Sequence, residues 1–136
     1  MGAWSAEPFG NDTAADWAWE LDDAESWDVV IDALTVLLDE EPATIDADVA
    51  AVAIAAAEVV AHASGRPTQS DAYTESVTAF VERVPNPPFG IVPVALSALE
   101  IAASPEGELA ELSTEEGADA WSAAVVRLRE SLSAAR

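Results

Sequence analysis

Glu58 and His62 are the first residues to weigh for chemistry. They stand four apart in AVAIAAAEVVAHA, residues 51–63, where every other residue is apolar. On a helix, residues four apart are neighbours, so this carboxylate and imidazole would meet. Such a pair could serve as general acid and base, or as half of a metal site. His62 is the only histidine and there is no cysteine, so a multi-histidine or thiolate zinc site is excluded. A carboxylate-rich site would need Glu58 plus acids from other helices, which the sequence does not identify. The plainer reading is an i,i+4 pair, or Glu58 capping backbone amides of the opening loop, and that reading is preferred.

A second group is Asp12, Asp16 and Glu20, a stripe at i, i+4 and i+8. Paired carboxylates can bind Mg²⁺ or Ca²⁺. No calcium-loop spacing with its glycine accompanies them, so they read as a solvated helix face. No P-loop, dinucleotide fingerprint, G-x-S-x-G or H-E-x-x-H is found. No residue is therefore assigned to catalysis, to a metal or to a cofactor, and an enzyme is the minor alternative, centred on Glu58 and His62.

The third group is aromatic. The opening MGAWSAEPFGNDTAADWAWEL holds three tryptophans and a phenylalanine. Trp4 and Phe9 precede a helix containing Trp17, and the expected arrangement is a clasp in which the leader folds back onto that helix. Trp19 is two positions from Trp17, about 200° around an ideal helix. It must pack on a different element or project to a partner.

The elements that would position these groups are all helical. Apolar spacing of three and four recurs and strand alternation does not. Asn11 or Asp12 caps a first helix to about Asp22. Ser26 caps a second to about Asp39, with Trp27, Val30, Ile31, Leu34, Leu37 and Leu38 as its stripe. Asp46 opens a third, reaching Ser64 with Gly65 just beyond. That helix is apolar nearly all round and belongs in the middle of a bundle. Ser70 starts a fourth, to about Arg83, with Tyr73, Val77, Phe80, Val81 and Val84 inward. The prolines of VPNPPFGIVP force a stiff connection to a fifth helix, roughly Val92 to Ala103. Ser104–Pro105 reads as N-cap and N1 of a short turn through Leu112, and Ser113 with Glu116 as a capping box before the last helix, Gly117 to Ala134. The expectation is one all-α domain over 1–136, a compact bundle of six or seven helices with an N-terminal clasp and a proline-rich connection.

Charge narrows the partners. Twenty-six acids face five arginines and no lysine, for a net charge of −21. Residues 1–65 hold fifteen acids and no Lys or Arg. Such a surface repels nucleic-acid phosphates and anionic membranes. The longest apolar run, Val49 to Ala57, is too short to span a bilayer. Absence of cysteine and of a basic leader suits a cytoplasmic protein. The acids would solvate helix faces, adapt the chain to high salt as in a haloarchaeal or GC-rich actinobacterial protein, or steer a basic protein partner.

The opening stretch also carries a family likeness. Gly2, Ala3, Trp4, Pro8, Phe9, Asn11, Asp12, Asp16 and Trp17 match a Met-Gly-Ala-Trp start, a Pro-Phe, an Asn-Asp and an Asp-Trp, and Ala55 to Ala61 and Gly107 to Leu112 form weaker blocks. In these residues the chain resembles the family catalogued as domain of unknown function 4259. Ser5 and Glu7 depart from it, where the family often has glycine. The resemblance implies an α-helical bacterial or archaeal protein and no particular activity.

The functional reading is a non-enzymatic, immunity-like interaction module that binds a basic partner. Its alternative is a salt-adapted protein whose charge has no recognition role. Self-repulsion of this size also makes a prediction. The melting temperature, followed by circular dichroism, rises from dilute buffer to about 1 M KCl, where the Debye length falls to about 3 Å.

Overall fold

The third helix is the axis of the molecule. The structure, a computed structural model, describes residues 6–114 and 118–135. Among them are seven α-helices: α1 (Asp12–Asp23), α2 (Asp28–Thr35), α3 (Ala47–Ala63), α4 (Glu75–Arg83), α5 (Ile91–Ala102), α6 (Glu108–Thr114) and α7 (Ala118–Ala135). Short 3₁₀ turns, Pro42–Thr44 and Ala72–Thr74, precede α3 and α4. No described residue lies in a β-sheet, so the bundle is all-α. Helix α3 packs against each of the other six. Eight of its buried residues are alanines, small enough for neighbours to approach closely on every side. The broadest packing partner of α3 is α5, the other strongly apolar helix. One continuous cluster of buried side chains runs through the bundle from Phe9 to Leu132.

Capping explains most helix ends. Asn11 Oδ1 accepts from the Ala14 amide at 2.8 Å and starts α1. Helix α1 has no basic residue in its last turn. Arg83 of α4 supplies one, donating to the carbonyls of Leu21 and Ala24 at 2.6 and 2.9 Å. The Arg83 guanidinium lies 5.9 Å from the Phe80 ring centre. Phe80 in turn meets Trp27 edge-on at 5.0 Å, and Trp27 Nε1 donates to the Val84 carbonyl. At α3 the Asp46 side chain makes no capping bond. Glu108 of α6 accepts from the Ala47 amide instead, at 2.9 Å. At the other end Gly65, at φ +75°, donates to the His62 carbonyl and Arg66 to that of Ala61. These two bonds form a Schellman motif, for which glycine is suited.

Four local expectations change. Helix α2 ends at Thr35, and residues 36–40 continue as tight turns with i→i+3 bonds. Asp39, Glu40 and Glu41 would crowd a negative helix end, which opposes further α-helix. The cap before α4 is Asp71, which forms a reciprocal capping box with Thr74. That box tightens the first turn into a 3₁₀ turn, so Thr74 is buried and Tyr73 is turned out, 55% exposed. Ser104 accepts from the Glu106 amide within a turn closed by Gly107, and α6 begins only at Glu108. Trp4 and the Ser113–Glu116 capping box lie outside the described side chains.

The clasp is present at Phe9, which is fully buried and stacks on Trp17 with ring centres 6.4 Å apart. Phe9→Ala should therefore lower unfolding free energy by about 3–5 kcal/mol in a urea titration, the usual loss for a core aromatic.

Candidate functional site

The Glu58 carboxylate sits at zero exposure in the penultimate turn of α3. Four donors converge on it. Its Oε2 accepts from the amides of Thr68 and Gln69 at 2.9 and 3.0 Å. His62 Nε2 is 3.0 Å from the same oxygen. Oε1 accepts from the Thr68 hydroxyl at 2.5 Å. The backbone dictates this convergence. The left-handed turn at Gly65 sends the chain back along the end of α3, and residues 68 and 69 then face a side chain one to two turns earlier. The i,i+4 pairing of Glu58 and His62 forms as their spacing suggests. The amides that Glu58 caps belong to this returning loop and not to the opening loop, because the returning loop is the one that runs beside it.

The opening loop is reached one step further on. Gln69 is buried, and its Oε1 accepts from the Phe9 amide at 2.8 Å. Its Nε2 donates to the Asp71 carboxylate at 3.0 Å, a group that can only accept, so the amide orientation is determined. His62 Nε2 also lies 2.9 Å from the Gln69 carbonyl. Both its neighbours are acceptors, so the hydrogen of His62 is on Nε2 and is shared between them. Thr68 and Gln69 were not evident as members of this group from the sequence. The available signal was Gly65: a C′ glycine reverses the chain and brings the next few residues over the last turns.

Chemically this is a clamp. The carboxylate of Glu58 accepts from four donors, three of them on Oε2, and is sealed from water, so it is not presented to a substrate. Acid–base work needs a reachable proton. Glu58 is out of reach, while the His62 ring keeps a small exposed part and holds Glu58 and the Gln69 carbonyl through Nε2. Among the described residues no group of three or more His, Asp or Glu is placed to hold a metal ion.

The remaining candidates stand elsewhere. Asn11 is spent on its cap. Asp12, Asp16 and Glu20 are all exposed along α1. Thr13 donates to Asp48 at 2.9 Å, which sets the first turns of α1 and α3 side by side. Trp19 is 71% exposed. Asp16, Asp22 and Asp23 are its i−3, i+3 and i+4 neighbours on the helix surface.

Residues 2–124 match the family model described as Domain of unknown function (DUF4259), and the chain belongs to that family. No curated protein and no solved structure matches it. No helix among the described residues is long and apolar enough to cross a membrane.

Replacing Glu58 by Gln keeps the shape but turns an NH₂ toward groups that are themselves donors. A stability loss of about 2–4 kcal/mol is expected, because buried donors lose a charged acceptor. Hydrogen exchange at the Phe9, Thr68 and Gln69 amides should accelerate more than at the centre of α5.

Proposed function

We propose that this DUF4259 protein is a non-enzymatic interaction module whose acidic face binds a basic surface of another protein, in the manner of an immunity protein. One observation carries the reading. All thirteen acids between Asp12 and Asp48 are exposed, and none is joined by a salt bridge to a described cation. Three of the arginines are committed elsewhere: Arg83 to the end of α1, Arg127 to Glu7 and Arg129 to Glu100. A concentrated field of one sign raises the encounter rate with a cationic partner. Trp19, exposed within that field, supplies the apolar anchor that charge alone lacks.

A salt-adapted scaffold with no recognition role would favour an even spread of acids. The acids here are uneven: thirteen fall between residues 12 and 48, and none falls between 84 and 99. That unevenness favours the recognition reading.

The test is a low-salt pull-down with three versions of the full chain. Wild type retains a basic protein that about 0.5 M salt releases, as expected for a screened contact. Trp19→Ala weakens the purified complex about tenfold or more while its melting temperature is unchanged. Neutralising the acids from Asp12 to Asp32 to Asn and Gln abolishes retention. Equal recovery by wild type and the neutralised variant would reject the proposal.

A further inference from the structure

A second surface differs from the first in every respect. The runs 59–70, 84–99 and 131–136 contain no Asp or Glu, in a chain with twenty-six acids. The runs meet where α3 and α7 end and α5 begins. The Ser131 hydroxyl donates to the Arg66 carbonyl, and a cleft of about 330 Å³ lies between Val60 of α3, Ser64 just after it, Ile91 and Val92 of α5, and Ala135 of α7. Phe89 stands at its lip, 96% exposed. The backbone that carries the ring is held in place. Pro87 and Pro88 fix their own φ angles, and Gly90, at φ +84°, closes a turn in which the Ile91 amide donates to the Pro88 carbonyl at 3.2 Å. An apolar side chain presented by stiff backbone loses little freedom when it docks.

We propose that this pole is a self-association surface, on which Phe89 of each chain enters the cleft of a second copy. Knob and hole lie side by side on one patch, as a two-fold interface requires, since each partner must offer both. The cleft has room for the ring: a cavity of about 150 Å³ already holds benzene. Charge selects the same occupant. Elsewhere two copies of a −21 chain repel, but here neither presents a carboxylate from the lining. Exposed Glu100 of α5 and Glu130 of α7 stand nearer the rim, about 13 Å from Ile91 and about 7 Å from Ala135 along their helices. The repulsion left at this pole therefore comes from its edge and is the part that salt screens. A cationic partner, by contrast, gains nothing from a surface without acids. The inference concerns a different surface from the basic-partner reading and does not depend on it.

Sedimentation equilibrium on the full chain, across low to high micromolar concentration, tests it. The mass should move from 14.2 kDa toward twice that value, and more readily at about 1 M salt as residual repulsion is screened. Phe89→Glu places a charge on the knob, and Ala135→Trp fills the hole from its far wall. Each should weaken association tenfold or more with an unchanged circular dichroism spectrum and melting temperature, while Trp19→Ala leaves it intact. A mass of 14.2 kDa throughout, or a dimer that either blocking variant leaves intact, overturns the proposal.

Discussion

One buried carboxylate organises the N-terminal half of the molecule. Glu58 sits where its helix is surrounded by others, and an unpartnered charge there would be strongly destabilising. It is tolerated because the chain turns at Gly65 and returns two amides and a hydroxyl to it. That returning loop places Gln69 against the Phe9 amide, and Phe9 against Trp17. The opening segment, the end of α3 and the entry to α4 are thereby tied through a single acid. Each link depends on the one before it. Without the carboxylate the loop has no acceptor, and without the loop the opening backbone has no partner for its amide.

Much of this was legible from residue types. The all-round apolar character of residues 49–63 placed α3 centrally, and it touches every other helix. Asn11 capped as its type suggests. The 200° separation of Trp17 and Trp19 put one ring inside and the other out. What the sequence concealed was tertiary. The side chain that caps α3 comes from Glu108, sixty-one residues away from Ala47, and that which closes α1 comes from Arg83. No local pattern announces a cap supplied by another helix. Tyr73 was misplaced because helical periodicity assumes 3.6 residues per turn, while the Asp71 box imposes a tighter one. At the candidate site the Glu58–His62 pair was legible from spacing alone. Its partners Thr68 and Gln69 depended on the direction of the loop after Gly65.

Charges divide by sign. Arg83, Arg127 and Arg129 all bond within the chain, and Arg83 joins two helices. The acids between Asp12 and Asp48 remain turned to solvent. Cations thus serve the fold while most of the N-terminal acids do not. Removing charge from that face alters the field around the protein far more than it alters packing, and removing Arg83 would do the reverse.

The alanine column of α3 restricts how this fold can diverge. An added methylene in a filled interior forces neighbours to shift, and along α3 those neighbours are drawn from six helices. Inherited variation is therefore channelled outward. The α1 face, the tip at Phe89 and the turns after α2 can be rewritten one residue at a time, whereas enlarging Ala53 or Ala57 demands compensating changes in several helices together. Descendants of such a chain would keep the axle and trade their surfaces.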